Sequence, residues 1–161
     1  MPYNTLMPAT TSDHRFSSIQ DAKAFALAGN AIITLQSTRT GNHYTFKVTS
    51  PSVEKQEKRG FAPEQVWFVK LLTEGSADDG CFHYLGMIKD GRFFATPASA
   101  QLQTSSSFKA FAFFFGSQEL HPELVIMHCN HCGHCGKTLT EPESISCGYG
   151  PTCREKLGIV I

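Results

Sequence analysis

Ala31-Ile32-Ile33-Thr34-Leu35-Gln36-Ser37 and His43-Tyr44-Thr45-Phe46-Lys47-Val48-Thr49 flank the segment Thr38-Arg39-Thr40-Gly41-Asn42. Both flanks are rich in β-branched and aromatic residues, and the segment between them has turn chemistry. The pattern predicts a β-hairpin. Downstream, Val66-Trp67-Phe68-Val69-Lys70-Leu71-Leu72 reads as a strongly apolar strand. Phe82-His83-Tyr84-Leu85-Gly86-Met87-Ile88 leads through Lys89-Asp90-Gly91 into Arg92-Phe93-Phe94-Ala95, a second hairpin. An antiparallel sheet of about four to five strands follows.

Two helices accompany the sheet. Ser18-Ile19-Gln20-Asp21 has the form of a capping arrangement ahead of a helix over residues 21–28, with Gly29 placed to end it. Ser105, Ser106 and Ser107 offer N-caps for Phe108-Lys109-Ala110-Phe111-Ala112-Phe113-Phe114-Phe115. Phe108, Phe111 and Phe115 recur at helical spacing and should cover one face of the sheet with Phe114 beside them, while Phe113 lies off that stripe. The fold class is α+β: an antiparallel sheet packed by one or two helices and followed by a small C-terminal zinc knuckle. Residues 1–16 read as a disordered leader, 17–120 as the α+β domain and 121–161 as a zinc-binding module. Residues 50–63, with Lys55, Lys58 and Arg59, read as an exposed loop.

The C-terminal module is defined by cysteine. His128-Cys129-Asn130-His131-Cys132-Gly133-His134-Cys135-Gly136, followed by Gly148-Tyr149-Gly150-Pro151-Thr152-Cys153, gathers five of six cysteines and three of seven histidines into 26 residues. Apolar packing does not require that density, whereas a bound metal does. Cys132-x-x-Cys135 is a chelating knuckle, since two intervening residues let both sulfurs reach one ion. Cys153 follows Pro151, and Thr152-x-x-Glu155 has the form of a capping box, which places Cys153 in the first turn of a short helix whose positive end favours a thiolate. His128, Cys129, His131, His134 and Cys147 are all candidates for a fourth ligand.

From Cys132 to Ile145, and again from Gly148 to Cys153, the chain resembles the DUF6011 pattern of phage and bacterial zinc-knuckle proteins. That pattern reads C-G-x-C-G-[RK]-x-L-x-x-P-x-S, then G-[IFY]-G-P-x-C. Members often carry a histidine four residues before the first cysteine, where His128 stands, and commonly lack cysteine at the position of Cys147. The resemblance implies His128, Cys132, Cys135 and Cys153 as ligands of one structural Zn2+. Upstream, Phe25-x-Leu27-Ala28-Gly29-Asn30-Ala31, Tyr44-Thr45-Phe46-Lys47-Val48 and Tyr84-Leu85-Gly86-Met87-Ile88 look like the domain that often precedes the knuckle in phage proteins, so the resemblance extends over residues 16 to 153 and implies a phage or mobile-element origin.

Other chemistries fit less well. Cys129-x-x-Cys132-x-x-Cys135 resembles the start of an iron–sulfur run, but Leu139 stands where the next cysteine belongs. His121-Pro122-Glu123 ahead of Cys132-x-x-Cys135 resembles a zinc-deaminase signature, yet His131 rather than proline precedes Cys132 and the spacing is too short for the two helices such enzymes use. A redox Cys-x-x-Cys would follow a βαβ pattern, and none precedes it. His14, His43 and His83 read as surface or sheet residues. No phosphate loop, nucleophile elbow or paired carboxylate is present, so the chain reads as a non-enzyme.

The chain has 161 residues with 14 Lys+Arg and 14 Asp+Glu, so no overall field draws it to nucleic acid or anionic membrane. Charged residues are sparse at 17% and phenylalanine is abundant at 13 copies, which suggests apolar surface for a partner. No signal peptide or membrane span is apparent, which suggests the cytoplasm of a bacterial host. The preferred partner is therefore a host protein, for example a defence or replication complex, and oligomerisation remains open. The alternative is a DNA- or RNA-binding module presenting Arg39, Lys47, Lys137, Arg154 and Lys156 to phosphates, with His131 or Tyr149 at bases.

Overall fold

A computed structural model describes residues 15–50, 66–75, 80–129, 131–139 and 142–158. Six strands form one antiparallel sheet: β1 (Asn30–Ser37), β2 (His43–Thr49), β3 (Val66–Glu74), β4 (Cys81–Lys89), β5 (Arg92–Phe94) and β6 (Leu124–His128). The order across the sheet is β5-β4-β3-β2-β1-β6. The first five strands are a meander, each pairing with the next in sequence. The sixth exceeds the expected four to five: Leu124–His128 returns to pair with β1, placing His128 opposite Ile33 and Ile126 opposite Leu35. Most of the leader and of the 50–63 loop lie outside the described residues, but Phe16 N donates to Ile126 O at 2.8 Å, so Arg15 and Phe16 run beside β6.

Helix α1 (Ile19–Ala26) is capped as its sequence predicts, with Asp21 N donating to Ser18 Oγ at 3.0 Å. Helix α2 (Ser106–Gly116) begins at the N-cap Ser105, whose Oγ accepts from Phe108 N at 3.2 Å. A 3-10 helix, Pro97–Leu102, joins β5 to α2. Both α-helices cover the same face of the sheet. Phe111 is buried and meets Phe46 and Phe93 with ring centroids 5.1 and 4.7 Å apart, while Trp67 Nε1 donates to Leu27 O behind α1. Phe113, off the stripe, is 51% exposed.

The opposite face is assembled by alternation. Cross-strand register puts Ile32, Lys47, Lys70 and Tyr84 in one row and Thr49, Phe68, Met87 and Phe94 in the next. Val66, Lys89 and Arg92 make a third row, and Leu72 faces Phe82. Lys47 is thus directly opposite Lys70, and Lys89 opposite Arg92.

Candidate metal centre

Beyond β6 the chain folds into a tight knuckle. Cys132 N donates to Lys137 O and Gly136 N to Cys132 O, both at 2.8 Å, while His131 and Thr138 bridge its base. Backbone bonds then seat the knuckle on the start of β1: Asn30 N donates to Gly133 O at 2.9 Å, and Gly133 N to Gly148 O at 3.0 Å. Phe25 of α1 fills the hollow beneath. A Cβ on Gly133 would fall 2.6 Å from the Phe25 ring and one on Gly148 2.8 Å, so both positions need glycine for contact. Phe25 also packs against Phe16, His128 and Tyr149 at centroid distances of 5.1, 5.8 and 5.4 Å. Cys132, Leu139, Tyr149 and Cys153 therefore share one buried cluster with the sheet and α1. The segment from residue 121 onward contributes a strand and core residues to that unit.

Two short helices complete the segment: α3 (Pro142–Cys147) and α4 (Pro151–Leu157). Cys153 lies in the first turn of α4, as expected, but the capping box does not form. Gly150 is the N-cap and Pro151 occupies the first turn. Proline is favoured at the first helical position because its missing N–H would be unpaired there, and this puts Thr152 inside the helix rather than before it.

The sulfurs of Cys132, Cys135 and Cys153 lie within 4.8 Å of one another. Tetrahedral zinc with Zn–S bonds of about 2.3 Å holds its sulfurs roughly 3.8 Å apart, so a cation could be gripped with small side-chain adjustments. The three cysteines thus form a cluster geometrically able to coordinate a metal ion. Burial opposes ionisation of Cys132, but backbone N–H groups of Cys135, Gly150 and His134 point at its sulfur and hold the thiol below its usual value. For Cys153 burial dominates, joined by hydrogen bonding and charge from Cys135 and Cys132, and the thiol is pushed up to about 12. The expected preference of the helix end for a thiolate is thus outweighed, in the absence of a cation, by burial beside two other sulfurs. A divalent ion reverses that balance by pairing with all three thiolates.

The candidates for a fourth ligand are held elsewhere. His128 is buried at the end of β6, its ring against both Phe16 and Phe25 and its Nε2 hydrogen-bonded to Ile145 O. It is not among the donors gathered within 4.8 Å. Cys129 Sγ lies 3.6 Å from Thr34 Oγ1, on the other side of β6. The Nδ1 atoms of His131 and His134 bond Gly136 O and Ala28 O, at 3.2 and 2.9 Å. Cys147 Sγ donates to Tyr149 O at 3.4 Å and receives Arg154 Nη1 at 3.8 Å.

The five basic residues suggested for phosphate contacts do not converge. Lys137 and Lys156 line one cleft beside the cysteines. Arg154 turns toward Cys147, and Lys47 lies on the sheet face opposite the helices, its Nζ 5.6 Å from the Phe82 ring centroid. Arg39 sits in the β1–β2 turn, at the opposite end of β1 from the knuckle, with its Nε 3.7 Å from Glu123. Tyr149, suggested as a base contact, is only 8% exposed and belongs to the core. Sequence reading passed over the aromatic and basic residues that share this face, because only strand register shows them as neighbours.

Residues 127–158 match the model of a family of unknown function, DUF6011. The match includes all three clustered cysteines but begins at Met127, so it does not carry the wider resemblance over residues 16 to 153. No curated protein and no solved structure matches the chain. No helix among the described residues is long and apolar enough to cross a membrane.

Proposed function

We propose that the chain is a non-enzymatic binding protein in which one structural zinc ion fastens the C-terminal segment to the sheet, and the sheet face opposite α1 and α2 takes single-stranded nucleic acid. Zinc suits a compact set of thiolates, and the knuckle is joined to α1 and β1 in a way that makes the ion a staple for the whole fold. Among the described residues the cleft beside the cysteines is lined by Lys137, Thr138, Leu139, Ser144, Thr152 and Lys156, none of them a carboxylate or imidazole that could act as a general base.

The observation that carries the nucleic-acid reading is the composition of that sheet face. Like charges directly opposite each other on a sheet cost stability, yet Lys47 faces Lys70. Phe68, Tyr84, Phe82 and Phe94 lie among these cations, and Thr96 Oγ1 donates to Tyr84 Oη at 3.1 Å, which fixes that ring. Aromatic planes for bases and lysines for phosphates are the two parts a single-strand platform needs. A zero net charge conceals this segregation. The host-protein reading, an inhibitor of a defence or replication complex, rests on that neutral total, on the abundance of phenylalanine and on the phage-like resemblance. Among the described residues the exposed large apolar side chains, Phe94, Phe113 and Leu157, lie on three separate elements.

Fluorescence anisotropy with labelled oligo(dT) and oligo(U) tests the proposal. Binding should weaken with salt, and the double variant Lys47→Gln/Lys70→Gln should reduce the slope of log K against log salt by about 1.4, at roughly 0.7 per phosphate contact. Phe68→Ala or Tyr84→Ala should each cost about 1–3 kcal/mol of binding if a base stacks there. Lys70→Gln should leave thermal stability unchanged or raise it, because a repulsive pair is removed. No binding at low salt, together with a stoichiometric protein partner recovered from nuclease-treated host lysate, would return the reading to a protein-binding factor.

A further inference from the structure

Among the described residues three chain donors, Cys132, Cys135 and Cys153, gather at the site, and a cleft opens beside them. We infer that the site's fourth coordination position takes a small exogenous ligand, water exchangeable for a monoanion, entering through that cleft. The inference rests on the zinc reading above and goes beyond it, because the resemblance-derived ligand set would close the site with His128.

Three observations lead there. First, the His and Cys candidates among the described residues already have hydrogen-bond partners: His128 at Ile145 O, His131 at Gly136 O, His134 at Ala28 O, Cys129 at Thr34 and Cys147 at Tyr149 O. Recruiting His128 would break its hydrogen bond to Ile145 O and its ring contacts with Phe16 and Phe25, whereas an external ligand disturbs neither. Second, a cleft of about 330 Å³ opens onto Cys132, Cys135 and Cys153, and Cys135 itself is exposed, so a small molecule can reach the site. Third, Ser144 is 2% exposed, lines the same cleft, and its Oγ has no hydrogen-bond partner among the described residues. A buried hydroxyl left without a partner is costly, and a metal-bound water or anion in the cleft would supply one.

Charge selects the ligand class. Three thiolates on a divalent ion leave the centre with one net negative charge, and an anion would add another. Lys137 and Lys156 line the cleft and offset it. A small linear or hydroxide-like monoanion fits a narrow position flanked by ammonium groups and a hydroxyl donor.

Cobalt substitution with an azide titration tests this. Thiolate-to-cobalt charge-transfer bands in the near ultraviolet report the three-cysteine centre, and their absence would overturn the zinc reading itself. With those bands present, the visible d–d bands should shift saturably as azide is added. Lys137→Gln/Lys156→Gln should weaken apparent azide affinity roughly two- to fivefold. Ser144→Ala should weaken it as well, and His128→Gln should leave the azide-free spectrum unchanged. Visible bands that do not respond to azide, or that change on His128→Gln in protein still carrying the charge-transfer bands, would show that the chain closes its own site and overturn the inference.

Discussion

Cys135→Ser is expected to destabilise the protein by about 3 kcal/mol or more, even though Cys135 is exposed on the surface. Substitutions at exposed positions away from special features usually change stability by less than about 0.5 kcal/mol. The difference is the metal: apparent binding energies of structural zinc in small domains are of order 10 kcal/mol, and that energy belongs to the folded state alone. Cys132→Ser should have at least as large an effect, because Cys132 is fully buried and the change also places a hydroxyl in the core. The pair separates ligation from packing. Denaturation in zinc-containing buffer, with zinc stoichiometry measured on each variant, checks the expectation. Equal stability of Cys135→Ser and wild type would mean that no metal holds this segment.

Phe25→Ala should cost about 3–5 kcal/mol, the range for removing a large buried aromatic side chain. The ring lies where α1, β6 and the knuckle meet, against Phe16, His128 and Tyr149 and in the hollow left by Gly133 and Gly148. Its removal should therefore also weaken zinc retention against a chelator, since the seat of the knuckle is lost while its cysteines remain. Phe25→Leu, which keeps part of the volume, should fall between. A loss below 1 kcal/mol for Phe25→Ala, or unchanged zinc retention, would show that the knuckle stands independently of the sheet.

The elements legible in the sequence were those whose signals are local. Alternation and turn residues marked β1 to β5, serines marked the starts of both α-helices, and the phenylalanine spacing separated Phe111 from Phe113. The pairing of Leu124–His128 with β1 was not legible, because nothing local records a partner some ninety residues away. The short 3-10 helix and α3 escaped notice since neither spans enough residues for an apolar period to emerge. Thr152 misled because two start signals competed and Pro151 prevailed. For the metal centre, Cys132-x-x-Cys135 and Cys153 are set by spacing and a Gly-Pro helix start. The surroundings of His128 depend instead on the tertiary meeting of Phe16, Phe25 and Ile145. The basic and aromatic face was hidden for a similar reason: Lys47, Lys70 and Arg92 are distant in sequence, and only strand register brings them to one surface.

X-ray absorption at the zinc edge of the purified protein, with the metal quantified per chain, tests the centre most directly. One zinc per chain is predicted, with three sulfur scatterers at about 2.3 Å and one lighter oxygen or nitrogen scatterer. An absence of zinc, or a coordination shell with two or fewer sulfurs, would contradict the three-cysteine centre on which the stability of the C-terminal segment is argued to rest.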